Sequence, residues 1–164
     1  VDHRRDGVLS ADQLDGVSPR TERFARGPVV VVECVENIPC DPCVGACPKG
    51  AITIEGDIND VPRVDYDLCD GCGVCISACP GLAIFAVDVS GEGDLGTVSL
   101  PYEFLPLPAV GDRVVTLDRE GAAVGEARVV RVLTSKALDR TPIVTLELPK
   151  ADAMVVRHLT RKGP

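Results

Sequence analysis

Tryptophan is absent from this chain of 164 residues, and there are only one methionine, two histidines, three phenylalanines and two tyrosines. A core with so few large rings must be built from Val, Leu, Ile and Ala, within a hydrophobic share of 45%. No apolar run approaches the ~20 residues of a membrane-spanning helix, so no membrane span is expected. The charged opening Val1-Asp2-His3-Arg4-Arg5-Asp6 leads into no signal-peptide core, which makes a cytoplasmic protein the expectation. Basic charge is also short: 25 acids against 17 bases leave -8, the wrong sign for a nucleic-acid surface. Residues for catalysis are scarce. His3 and His158 lie far apart in sequence and are expected at the surface. Gly91-Glu92-Gly93-Asp94-Leu95-Gly96 spells GxGxxG but opens no helix, because residues 97–101 are β-like and end in proline. It reads as a linker.

Cysteine is confined just as sharply. All eight lie between Cys34 and Cys79. Charge divides the chain at nearly the same places. Residues 1–27 and 91–164 are each neutral, whereas residues 28–90 hold ten acids against Lys49 and Arg63, so the whole net charge of -8 sits on the cysteine-rich stretch.

That stretch opens with Pro28-Val29-Val30-Val31-Val32-Glu33, a β-branched run that delivers Cys34 to the end of a strand. It also repeats itself. Cys40-Asp41-Pro42-Cys43-Val44-Gly45-Ala46-Cys47-Pro48 has the shape of Cys72-Gly73-Val74-Cys75-Ile76-Ser77-Ala78-Cys79-Pro80, and a short apolar run follows each, at residues 51–54 and 82–87. A cysteine turn, a helical turn and a strand occurring twice predict a pseudo-twofold unit with two metal sites.

Cys69-x2-Cys72-x2-Cys75-x3-Cys79-Pro80 has the spacing that binds a cubic iron–sulfur cluster. Thiolates with two residues between them line a tight loop whose N–H groups point at the sulfides, and Gly71 and Gly73 let the backbone approach closely. Ser77, inside this loop, is expected to donate a hydrogen bond to sulfur. Disulfides fit poorly with cysteines so crowded and no secretion signal. Two zinc sites are chemically possible, but zinc modules usually pair two separated Cys-x2-Cys units.

Over residues 28–90 the sequence resembles a bacterial-type ferredoxin with two 4Fe–4S clusters. The resemblance implies an α+β, ferredoxin-like pseudo-twofold domain with crossed ligation. One cluster takes Cys69, Cys72, Cys75 and Cys47, and the other takes Cys40, Cys43 and Cys79 plus Cys34. The first motif departs from the family pattern, because five residues separate Cys34 from Cys40 where the family has two. The extra residues can bulge outward at little cost in loop closure. If Cys34 does not ligate, that site is a three-iron cluster or lacks one corner.

Acids near a cluster lower its potential. A carboxylate ~8 Å away at an effective dielectric of ~20 contributes about 2 kcal/mol. Asp41 and Asp70, within the cluster loops, are placed to matter, whereas Glu55, Asp57 and Asp60 are better suited to orienting the protein toward a basic partner.

The flanks complete the layout. Residues 1–27 read as an extended arm, with Ser10 and Gln13 forming a capping box for a short helical turn around Leu14. Residues 91–108 read as a linker containing the proline strip Pro101-Tyr102-Glu103-Phe104-Leu105-Pro106-Leu107-Pro108. Residues 109–164 read as a small β-barrel or sandwich, with strands near 113–117, 127–133 and 143–148, supplemented by 98–100. Pro149 could open a closing helix carrying Met154, Val155, His158 and Leu159.

The expected function is electron transfer, not catalysis by this chain alone. The added β-rich region makes the chain look like ferredoxin-type small subunits beside flavin-dependent dehydrogenases of the proline or hydroxyproline type. That likeness implies FAD or FMN on partner flavoprotein subunits. The alternatives are a freely diffusing electron carrier and a module in which clusters only stabilise an interaction surface.

Overall fold

Four consecutive valines, Val29–Val32, form strand β1 in the computed structural model, which describes residues 3–138 and 141–161. β1 pairs antiparallel with β4, Ile84–Asp88, in the register Val29 to Val87 and Val32 to Ile84. Both faces of this strand pair are covered. Val31, Phe85 and Val87 enter one apolar core, and Val30, Val32, Ile84 and Ala86 enter another. A run without polar alternation is what a strand buried on both sides requires.

The second core holds the cysteine repeat. Helix α4, Pro42–Ala46, and helix α5, Val74–Ala78, pack against each other. α4 is followed by β2, Ile52–Thr53, which pairs with β3, Arg63–Val64; α5 is followed by β4, which pairs with β1. Helix, turn and strand therefore recur in the order the internal repeat predicts.

The fold is mixed and dominated by antiparallel sheet. β5 (Leu95–Pro101), β6 (Arg113–Leu117), β7 (Ala123–Leu133), β8 (Ile143–Pro149) and β9 (His158–Arg161) extend the β1–β4 pair into one sheet, ordered β1-β4-β5-β8-β7-β6-β9. Alternation sets the faces here. Val98 and Leu100 of β5 and Val144, Leu146 and Leu148 of β8 are buried, while the residues between them are partly exposed. The turn after β6 is closed by the Asp118 carboxylate, which accepts N–H bonds from Glu120 and Ala122 at 2.9 Å each.

Three expectations change. Within residues 91–108, read as a linker, β5 is a strand inside the sheet, paired along its length with β8 and over residues 97–99 with β4; of the GxGxxG letters, residues 91–94 lie in the connection from β4, and Leu95 and Gly96 open β5. Pro149 opens no long helix. A 3-10 turn, Lys150–Asp152, follows it, and β9 then returns to pair with β6, because Leu159 fills the core beside Val114. The N-terminal stretch is not extended but forms α1 (His3–Asp6), α2 (Ala11–Val17) and α3 (Thr21–Phe24). The capping box is present: Ser10 Oγ accepts from Gln13 N–H at 3.3 Å, and the Gln13 side chain accepts from Ser10 N–H at 3.0 Å. α2 runs through Gly16 to Val17, whose carbonyl accepts from the Tyr66 hydroxyl at 2.5 Å. Among the described residues no helix is long and apolar enough to cross a membrane.

Candidate metal centre

The two cysteine turns share local geometry. Ala51 N–H donates to Cys47 Sγ at 3.3 Å, and Ala83 N–H donates to Cys79 Sγ at 3.4 Å, each four residues after its cysteine. The proline after each cysteine cannot donate and so leaves the sulfur to this later amide. The second loop is the more tightly built. Gly71 has φ +70°, and a Cβ there would lie 2.4 Å from the Pro28 carbonyl carbon, so only glycine fits. Gly73, at φ +76°, precedes α5 in the same left-handed region.

Electrostatics sorts the eight thiols into two sets. Burial, followed by the charges of Cys79 and Cys34, pushes the Cys43 thiol up to about 11. Burial also raises Cys34, with Cys79 and Cys40 adding to it. Burial and then Cys69, Cys72 and Cys47 push Cys75 up to about 12. Cys72 is raised by burial first, and by Asp70 and Cys47. Cys34, Cys40, Cys43 and Cys79 thus crowd one another, as do Cys47, Cys69, Cys72 and Cys75. The cavities follow the same division. One of about 370 Å³ is lined by Cys34, Cys40 and Cys79, and a second, much smaller one by Cys47, Cys69, Cys72 and Cys75.

Four thiolates that repel one another need a cationic core between them, and soft sulfur donors suit iron–sulfur chemistry. The donor set fits such a group. Among the described residues no three His, Cys, Asp or Glu side chains converge closely enough to hold one metal ion. A zinc ion demands sulfurs about 2.3 Å from a single centre. Sulfurs arranged around a larger inorganic cube do not.

The five residues between Cys34 and Cys40 bulge outward: residues 36–39 are exposed, and Asn37 Nδ2 donates to the Asn59 carbonyl at 3.2 Å. Asp41 precedes α4 as an exposed cap without a side-chain hydrogen bond. Asp70 pairs with Lys49 at 3.1 Å and accepts the Cys72 N–H at 3.2 Å, so Lys49 offsets much of its charge. Glu55, Asp57 and Asp60 are exposed. Three side chains depart from expectation. Ser77 Oγ donates to the Val74 carbonyl at 3.3 Å and not to sulfur. His3 is largely covered, hydrogen-bonded to Gln13 at 2.8 Å and 3.3 Å from Glu36. His158 is half-buried, with its ring 5.7 Å from that of Tyr102 and 5.2 Å from that of Phe104.

The sequence reading missed the charged groups behind the first cysteine set. Glu33, buried at the end of β1, accepts from Arg119 at 2.9 and 2.6 Å and from Arg157 Nε at 2.7 Å. Arg157 also donates to the carbonyls of Ala153 and Val156 and lies over the Phe85 ring at 4.8 Å. Burial lowers the Arg157 guanidinium to about 10, with Glu33 opposing that shift and Arg119 adding to it. One signal was available, since a carboxylate ending an all-apolar strand must find a cation.

Residues 62–85 match the family model of the 4Fe-4S binding domain. This segment is ferredoxin-like and of the iron–sulfur type. The match contains Cys69, Cys72, Cys75 and Cys79. Among curated proteins, the chain is 47% identical over 47 residues to pyruvate synthase subunit PorD of Methanothermobacter marburgensis, covering 29% of this chain and 51% of that protein. It is 36% identical over 64 residues to ferredoxin-type protein NapF of Haemophilus influenzae, covering 37% of this chain and 36% of that one. It is also 41% identical over 81 residues to a tetrathionate reductase subunit of Archaeoglobus fulgidus, covering 47% and 37%. The chain thus spans about half, or less, of the length of these relatives. No solved structure matches it.

Proposed function

We propose that this chain is an electron-transfer subunit of a larger oxidoreductase, carrying one 4Fe–4S cluster on Cys34, Cys40, Cys43 and Cys79 and another on Cys47, Cys69, Cys72 and Cys75. The observation that carries this reading is the sorting of eight thiols into two sets of four, each drawing one cysteine from the opposite motif. Such a cluster supplies reversible one-electron redox chemistry. The chain's residues supply the ligands, the sulfur-directed amides of Ala51 and Ala83, and a largely dry surrounding of Val30, Ile52 and Ile76. Cys72 is the exposed cysteine, which makes its corner the point of electron exchange with a partner.

Relatives named as subunits of pyruvate synthase and tetrathionate reductase support a place within a complex. A flavoprotein partner bearing FAD or FMN, and the narrower likeness to proline- or hydroxyproline-type dehydrogenases, rest on the layout of a two-cluster unit joined to a small β-barrel-like region. Anaerobic purification provides the test. The expected content is about eight iron and eight sulfide per chain, with two paramagnetic signals after reduction. The variant Cys34→Ser is expected to lose or alter only one signal. A colourless native protein would overturn the proposal.

A further inference from the structure

Within residues 28–90 the basic side chains are Lys49 and Arg63, both exposed. The buried positive charge beside the second cysteine set comes from outside that segment. Arg23 of α3 is 7% exposed and donates through Nε to the Tyr66 carbonyl at 2.7 Å, through Nη1 to Gly27 at 3.1 Å, and through Nη2 to Pro28 at 2.8 Å and Cys69 at 2.5 Å. All four acceptors are neutral carbonyls. Among the described residues no carboxylate forms an ion pair with it, and the nearby Asp67 pairs with Arg26. The Pro28 that Arg23 holds is also the residue against which Gly71 packs, so the guanidinium fixes the loop from behind as well as carrying charge to it.

A buried cation without a counter-ion is costly unless something nearby is anionic. Four thiolates around an iron–sulfur core are anionic, and reduction adds one further negative charge. Cluster potential follows local net charge, hydrogen bonding and exposure. We propose that Arg23 is a positioning residue for the cluster of Cys47, Cys69, Cys72 and Cys75, holding its loop and raising its reduction potential through an uncompensated, solvent-shielded charge. This inference rests on the ligation reading above. It adds that the N-terminal helices, and not the ferredoxin-like segment alone, contribute to how far apart the two potentials lie.

The test is a potentiometric titration of the anaerobically purified, cluster-loaded full chain, followed by paramagnetic resonance, with Cys72→Ser used to assign the signal. R23Q is expected to lower the midpoint of that signal while leaving the other nearly in place, and R23K, which keeps the charge, to return it close to native. R26Q is the control. Arg26 also donates to the Tyr66 carbonyl, at 3.3 Å, but its side chain is 55% exposed, so its removal is expected to move neither midpoint. If R23Q sheds the cluster while R23K keeps it at the native midpoint, the charge requirement stands. Equal loss from R23Q and R23K would show that the planar fork alone matters and would overturn the inference. Two loaded clusters with unmoved midpoints in R23Q overturn it as well, with ligation intact. A native chain without iron would overturn both readings together.

Discussion

On one side of the β1–β4 strand pair the buried side chains are aliphatic or aromatic; on the other, thiols are built into the packing. The first core takes Leu100, Val114, Val129, Leu146 and Leu159 from five strands that hydrogen-bond into a single sheet. The second has Ile52, Ile76 and Ile84 as its largest fully buried groups and closes around Cys43, Cys69 and Cys75. Its secondary structure is sparse, with helices of five residues and a two-residue strand pair. A sheet with continuous backbone pairing and a hydrocarbon interior can hold itself together. A short-element core whose thiols repel one another when ionised is expected to draw part of its folding free energy from an inorganic centre.

Stripping the clusters is the most severe test of that contrast. Anaerobic chelation with a reductant is expected to abolish amide protection across residues 34–82 while β5 through β8 stay protected, read by hydrogen exchange with mass spectrometry. Loss of protection everywhere at once would show that the two cores unfold as one unit. A smaller effect is expected where the cores meet. Glu33→Gln leaves the Arg119 and Arg157 guanidiniums without their carboxylate, at a cost of about 3–5 kcal/mol in denaturant unfolding. A cost near zero would mean that water already serves those charges.

The smallest effect belongs to the hydrocarbon side. Burial holds the His158 imidazole below its ordinary 6.5, so near that pH the unfolded chain takes up a proton that the folded chain refuses. Stability is therefore expected to fall as pH drops from 7 through 6.5 and to level off once the folded value is passed. His158→Gln should flatten this part of the profile, and an unchanged slope would place the proton elsewhere.

Local pattern was easy to read and long-range pairing was not. β1 and β6 announced themselves through β-branched runs, the capping box through Ser10 and Gln13, and the 4Fe-4S-type segment through the spacing of Cys69, Cys72, Cys75 and Cys79. β9 was hidden because His158-Leu159-Thr160-Arg161 carries no period strong enough to separate strand from helix, and its pairing with β6 lies over 40 residues away. The charged cluster was hidden more deeply. Arg119 and Arg157 meet Glu33 across 86 and 124 residues, and neither arginine differs in its neighbourhood from a surface one. Arg23 likewise reads as one of five arginines in a neutral stretch until Cys69 is brought against it.

Strand β1 has a property that its four identical side chains impose. With apolar surroundings on both faces, sliding by one position would cost it little in buried area, so the hydrophobic effect scarcely chooses its alignment. The choice falls to what stands at its end. Glu33 must meet two guanidiniums and Cys34 its companion thiols, and a shift of about 3.3 Å would forfeit both. Polar chemistry at the strand's tip thus acts as the ratchet tooth that a featureless greasy ribbon lacks.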